Sequence, residues 1–320
     1  MKNKIRNFDP RFVLVTVPVI WGINFTIMKI GLQSLEPIPY NTSRLIVATI
    51  ISWILVYTLK GYKKIKLRDL RAIITVSLLG FALPQIGITI GVSLTTAGNC
   101  ALIMALVPIS VIIINRFIHK TFINKTITRG IFISFTGVTL VILGTNSGLS
   151  ISTSDLAGIL VMLVAQFCSA YFTIYSGPLV EKYSPYLLIA ITMTTSSLVF
   201  ILLSFNSLVS VNWASLPSTA WFSMFYSGIL ALAIGNFLWV WGVREIGSTR
   251  TAVYSNLTPV FAIVTGCLVL NEAFGLFQSL GALIILTGLI MTQRGQRPSK
   301  YAPKCFSPSE IVNTEQNKVI

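Results

Sequence analysis

Ten apolar stretches, each long enough to cross a bilayer and each bounded by charge, proline, glycine or asparagine, constrain this chain more than any other feature. They run approximately over 12–32, 42–59, 72–93, 97–117, 128–145, 156–176, 186–204, 218–241, 250–270 and 275–292. A hydrocarbon core of about 30 Å takes roughly 20 helical residues at about 1.5 Å each. Ten spans therefore consume most of the 320 residues and leave no room for a sizeable soluble domain. Lipid offers the backbone no hydrogen bonds, so runs of this length must be helices. The charged fraction of 10% agrees, since a soluble domain needs roughly 25% to cover its surface. The expected fold is an all-α integral membrane protein with ten transmembrane helices.

The net charge of +15 would point to nucleic acid in a soluble protein, but here the basic residues punctuate the spans. Lys2, Lys4, Arg6 and Arg11 precede the first; Lys60, Lys63, Lys64, Lys66, Arg68 and Arg71 join the second to the third; Arg116, Lys120, Lys125 and Arg129 join the fourth to the fifth. Lys182, then Arg244 and Arg250, then Arg294, Arg297, Lys300 and Lys304 continue the series, while the connections around 94–96, 145–154 and 206–215 carry no Lys or Arg. By the positive-inside rule both termini are expected in the cytoplasm, and no nucleic-acid partner is expected. Residues 1–11 then form a cytoplasmic segment, and the polar tail 293–320 reads as disordered. The first run is too long for a signal-peptide core and is read as a retained helix. Compact tails and the lack of organelle targeting fit a bacterial inner membrane.

Cys100, Cys168, Cys267 and Cys305 lie singly, and His119 is the sole histidine. Neither a disulfide framework, a metal site nor a Ser-His-Asp site is expected from them, and no cofactor is expected. No G-x-x-x-x-G-K-[ST] motif argues for ATP-driven pumping.

The chain also repeats itself. A shift of 151 pairs Gly91-Val92 with Gly242-Val243, Ala101 with Ala252, Leu106 with Leu257, Pro108 with Pro259, Gly130 with Gly281, and Thr136-Gly137 with Thr287-Gly288. Phe25-Thr26-Ile27 returns as Phe172-Thr173-Ile174 at a shift of 147. Chance matching is harder for prolines and glycines than for leucines, so duplication is the better account. Five spans per unit is odd, which makes the two copies, 12–145 and 156–292, inverted repeats, an arrangement characteristic of secondary transporters with a midplane site.

Trp21-Gly22-Ile23-Asn24-Phe25 with Lys29, then Pro37 and Arg44, resembles the opening of the EamA-type branch of the drug/metabolite transporter superfamily. Gly91 to Pro108, its copy Gly242 to Pro259, and the closing Asn271-Glu272 with Gly281 and Gly288 extend the resemblance over about 12–292. It implies a ten-helix inverted-repeat carrier, often exporting amino acids or other small metabolites through a central cavity. One departure is plain. The acidic residue that many members carry after span four is absent, where Arg116, His119 and Lys120 lie, whereas span nine keeps Glu272.

Charge inside a span is expensive, about 2.5–3.5 kcal/mol at the centre on insertion scales, so Lys29 and Arg44 call for a reason. Either they attract an anionic solute group near the outer mouth, or Lys29 snorkels and Arg44 caps carbonyls or pairs with Glu36. Polar and aromatic groups in mid-span are the second set of candidates: Asn24, Gln85, Asn99, Ser169, Tyr171, Tyr175, Asn236, Trp239, Trp241, Tyr254 and Asn256. Such groups should face other helices or a wet cavity rather than lipid. Asn24 and Tyr171 both directly precede a Phe-Thr-Ile triplet, which puts them at matching repeat positions. Pro108 and Pro259, about ten residues into spans four and nine, should bend their helices and are candidate hinges. Glu272 is the one mild candidate for proton coupling, with capping of a neighbouring helix as its competing role.

The function expected is a secondary transporter, not an enzyme. It moves a small polar metabolite such as an amino acid, in the export direction, by alternating access. A carrier of anionic solutes such as nucleotide sugars or sugar phosphates is the alternative; an intramembrane lipid-modifying enzyme lacks a His-carboxylate set, and a channel lacks a ring of charges. The solute, the coupling ion and the oligomeric state are not written in the sequence.

Overall fold

The computed structural model describes residues 10–59, 61–119, 124–143, 153–273 and 275–295, and all regular structure among them is helical. Most of the N-terminal segment 1–11 and nearly all of the tail 293–320 lie outside the described residues. The chain opens with α1 (Pro10–Gly31) and α2 (Pro37–Thr58). The third span is α3 (Leu67–Ser77) and α4 (Leu83–Leu94), joined by a π turn over Leu78–Ala82; the fourth is α5 (Ala97–Met104) and α6 (Val107–His119). After α7 (Lys125–Leu143) come α8 (Thr153–Lys182) and α9 (Pro185–Ser210). Next, α10 (Ser218–Tyr226) and α11 (Asn236–Ile246) flank a π segment, Ser227–Gly235. The last elements are α12 (Ser248–Val253), a 3₁₀ turn over Tyr254–Leu257, α13 (Thr258–Leu270) and α14 (Leu276–Arg294).

Nine helices among the described residues are long and apolar enough to cross a membrane. The helix α7, which the sequence reading counts as its fifth span, packs along α14. Two helix starts, Pro37 and Leu67, fall about five residues before their expected positions. The second span begins at Pro37, not near residue 42, because a proline in the first turn sacrifices no helical hydrogen bond and presets φ. Pro185 opens α9 in the same way.

Two kinds of irregularity recur. Pro84 has no N–H to give the carbonyl of residue 80, and the turn before it widens into the π turn; the second π segment ends at Gly235. The fourth span breaks at residues 105–106, immediately before Pro108, and the span that ends at Leu270 breaks at 254–257, immediately before Pro259. The bend expected at each proline takes the form of a short break in the α-helical pattern, a turn at 105–106 and a 3₁₀ turn at 254–257.

Packing contacts recur as well. Gly242 lies against Leu14 and Gly91 against Met162; Gly228 lies against the backbone of Arg44, and Ser77 donates to Thr192 at 3.0 Å. Helices α7 and α14 touch backbone to backbone through four glycines. A Cβ on Gly130 would lie 2.6 Å from the Gly288 carbonyl, and one on Gly137 2.7 Å from that of Gly281. Close approach of this kind is how helices associate where lipid removes the hydrophobic driving force.

Two clusters of polar contacts mark opposite ends of α2. Beyond its C-terminus, Lys182 pairs with Asp69 at 3.2 Å, the Tyr183 hydroxyl donates to the same carboxylate at 2.8 Å, Lys63 donates to the Lys182 carbonyl and Ser184 to that of Gly61. Two of the basic connections thus dock on one another. Near its N-terminus, Glu272 accepts the backbone N–H of Ala97 at 3.0 Å and pairs with Lys29 at 3.7 Å, while Lys29 also donates to the Thr95 carbonyl. One carboxylate therefore caps α5 from the far end of α13 and holds the end of α1. Capping is the role the structure displays for Glu272.

Candidate functional site

A cavity of about 100 Å³ lies where the irregular turns meet. Gly80 and Phe81 of the first π turn face it together with Ala231 and Leu232 of the second. Met104 and Val107, on either side of the break in the fourth span, line it together with Ser255, within the later break, and Thr258, directly after it. Broken helices matter here because they free backbone groups and admit polar side chains at a depth where an unbroken helix would present only its sides.

Six of the expected residues line this cavity: Asn24, Arg44, Gln85, Ser169, Asn236 and Trp239. Arg44 is 1% exposed. Its Nε donates to Asn41 at 2.7 Å, and its Nη2 to Gln85 at 2.6 Å and Thr89 at 3.0 Å; its Nη1 reaches the sulfur of Met28 at 2.9 Å. No carboxylate lies within ion-pair distance of it among the described residues, so the pairing with Glu36 is not made. Buried arginine is normally held by an acid, yet here three neutral oxygens and a thioether hold it. Asn24 accepts from Ser227 and directs its amide N–H₂ to the same Met28 sulfur at 3.2 Å. Asn236 turns its amide back to the carbonyls of Ala231 and Leu232 in the π segment, at 3.2 and 2.9 Å. Trp239 donates to Thr173 at 3.2 Å and packs on Trp21, whose own indole donates to the Ala231 carbonyl.

The other expected residues stand elsewhere. Lys29 is in the contact with Glu272 rather than snorkelling alone. Asn99 is fully buried, donates to Thr95 and accepts from Gln278 at 3.1 Å, which joins α5 to α14. Tyr171 stacks on Tyr175, with ring centroids 4.3 Å apart, and Tyr254 packs against the cluster around Leu14 and Trp239. Asn256 holds a buried side-chain oxygen without a hydrogen-bond partner. Pro108 and Pro259 do not line the cavity, although their neighbours Val107 and Thr258 do.

Contacts explain why Tyr171 and Asn24 part company. Leu14 meets Gly242 as Met162 meets Gly91, a correspondence of 148 for α1 and α8, not the 147 of the shared triplet. One residue turns a helix by about 100°, so the partner of Asn24 is Phe172, which lines the cavity. Sequence reasoning missed Met28, Thr173, Ser255 and Thr258. The Thr258 hydroxyl is buried without a partner at the cavity edge; polarity directly beside Pro259 was the available signal. Met28 gave none, being apolar in an apolar run. No cluster of His, Cys, Asp or Glu able to hold a metal exists among the described residues.

Comparison with known proteins adds independent information. The model of the EamA-like transporter family matches the chain twice, over residues 11–143 and 156–294. The uncharacterized transporter YyaM of Bacillus subtilis (strain 168) is 26% identical over 305 residues, covering 94% of this chain and 98% of that protein. Its compatriot YoaV is 25% identical over 87% of this chain and 94% of its own. An uncharacterized transporter of Archaeoglobus fulgidus is 23% identical, covering 88% and 98% respectively. One crystal structure superposes with a TM-score of 0.67 at 13% identity, covering 93% of this chain and 98% of the other, which is a likeness of fold.

Proposed function

The chain belongs to the EamA-like transporter family, and from that premise we propose that it is a secondary transporter moving a small polar metabolite, such as an amino acid, out of the cell by alternating access. The membrane-embedded helical architecture and the transporter relatives support a multi-pass membrane transporter. The finer reading rests on one observation: a cavity deep in the helices, built from paired interruptions and holding Arg44, Gln85 and Asn236. Polar groups at that depth are costly to bury, and where they face a cavity they commonly mark a solute path.

In this reading the chain is two five-helix inverted repeats, 12–145 and 156–292, with α7 as the tenth span. The recurring contacts and breaks support that division, as do the two family matches. Asn24, Arg44, Gln85, Ser169, Asn236 and Trp239 contact the solute, and Pro108 and Pro259 mark the hinges. Both termini face the cytoplasm, on the side of the docked basic connections, and the membrane is a bacterial inner membrane.

The second reading, a carrier of anionic solutes such as sugar phosphates or nucleotide sugars, is favoured by the unpaired Arg44. It is weakened by Lys29, the other cation within a span, which is bound to Glu272 away from the cavity.

Counterflow in proteoliposomes tests the proposal. Liposomes preloaded with one unlabelled solute should accelerate entry of its labelled form for at least one amino acid, and Asn24→Ala protein of equal folded yield should lose the acceleration. Absence of exchange across amino acids, monocarboxylates and phosphorylated solutes, with folded and inserted protein, overturns it.

A further inference from the structure

The sulfur of Met28 sits between two donors, Arg44 Nη1 at 2.9 Å and Asn24 Nδ2 at 3.2 Å. A thioether is among the weakest acceptors in a protein, while Arg44 is the strongest donor facing the cavity and is nine-tenths buried or more. Its other engaged donors are used by Asn41, Gln85 and Thr89, which fix the guanidinium in place. The Nη1 edge alone is spent on sulfur. Methionine is also unbranched and readily changes rotamer, so this acceptor can leave without moving a helix.

Charge then narrows what replaces it. Arg44 is the sole charged residue lining the cavity among the described residues, and no Asp or Glu lines it. One negative charge neutralises the chamber. A phosphate dianion overshoots, and the ammonium of a zwitterion would be desolvated with no carboxylate to meet it. The remaining walls include Trp21, Phe25, Phe81 and Phe172, which favour an apolar or aromatic body.

We propose that the cavity binds small organic monocarboxylates with an apolar body, the carboxylate taking the donors of Arg44 and Asn24 that the Met28 sulfur occupies in this conformation. This rests on the carrier reading above and, among small polar metabolites, replaces the amino-acid example with monocarboxylates that carry no ammonium. A carboxylate oxygen is the acceptor these two donors lack, and Met28 acts as a placeholder that keeps them partnered while the site is empty.

The test is isothermal titration of the full-length protein in detergent with three ligands that share one body: 3-phenylpropionate, its primary amide and L-phenylalanine. Wild type should bind the propionate at least about tenfold more tightly than the other two, the size of one charge-assisted hydrogen bond. Arg44→Gln should erase that preference. Met28→Leu, which removes the competing acceptor but keeps the volume, should bind propionate as well as or better than wild type. Met28→Glu should abolish propionate binding by supplying the carboxylate internally. The wild-type comparison needs no variant to fold. Equal affinity for propionate and amide overturns the proposal, and so does tighter binding of phenylalanine. If propionate fails to bind while counterflow of an amino acid succeeds, the monocarboxylate class falls and the carrier stands. If propionate binds and no solute exchanges, the site stands and the carrier reading falls.

Discussion

Arg44 in α2 and Thr192 in α9 stand at the same depth, each about two turns beyond the proline that opens its helix, and each meets the same neighbourhood. Arg44 lies against Gly228 at the start of one π segment, and Thr192 accepts from Ser77 just before the other. The backbone frames agree; the chemistry does not. Around Arg44 the partners are Asn41, Gln85 and Thr89, whereas Val240 stands where symmetry with Thr89 would ask for a hydroxyl. In the two-repeat reading proposed above, repetition supplies the breaks and the close contacts, while a single half supplies the charge. A cavity on a pseudo-symmetric frame can recognise a solute in one orientation only if its two walls differ in this way.

The largest effect should come from erasing the difference in the costly direction. Thr192→Arg places a cation in a site with no prepared acceptors, costing about 3–5 kcal/mol, and should leave little monodisperse protein by fluorescence-detected size exclusion. The reverse change, Arg44→Thr, should give a folded protein whose transport KM rises by at least about tenfold, because the acceptors it orphans are neutral. A folded Thr192→Arg with unaltered yield would mean the two frames share more polar capacity than their hydrogen bonds display.

Next in size is the glycine contact, where the halves meet as equals. Gly130→Val and Gly281→Val should each lower stability by about 1–3 kcal/mol through overpacking, read as a drop in thermal unfolding temperature, and by similar amounts if the two positions are equivalent. Unequal drops would break the equivalence. A smaller effect is expected at the Glu272 contact. Glu272→Ala removes both the cap on Ala97 and the pairing with Lys29, for about 1 kcal/mol, whereas Glu272→Gln keeps an acceptor for the cap and should cost less.

Pro108→Ala and Pro259→Ala should change stability by less still, because both prolines stand in the first turn of a helix where no N–H is missed. Their signature is a change in initial counterflow rate at unchanged unfolding temperature; an unchanged rate in both removes them as hinges. Gly177→Ala should be neutral or mildly stabilising, by up to about 1 kcal/mol, since the nearest atom to its new Cβ is 3.6 Å away.

Much of this was legible in advance. Spans announce themselves because hydrocarbon tolerates little else, and Arg44, Asn24, Gln85 and Asn236 announce themselves because polarity there needs a reason. Rotation about the helix axis was not legible. Asn99 and Gln85 look alike in sequence, yet one bonds a neighbouring helix and the other faces the cavity, a matter of which side of the cylinder each occupies. The triplet shared by α1 and α8 misdirected by one residue for the same reason. Met28 was invisible because its part comes from what surrounds its sulfur, not from its composition.

The glycine seam between α7 and α14 carries a mechanical consequence. With carbonyls where a methyl would have to go, a side chain at any of the four glycines would push the two helices apart. The seam therefore behaves as a keel. If one half of the molecule rocks against the other, the expected pivot is this line, with displacement growing along the lever arm toward the cavity and least at the keel itself.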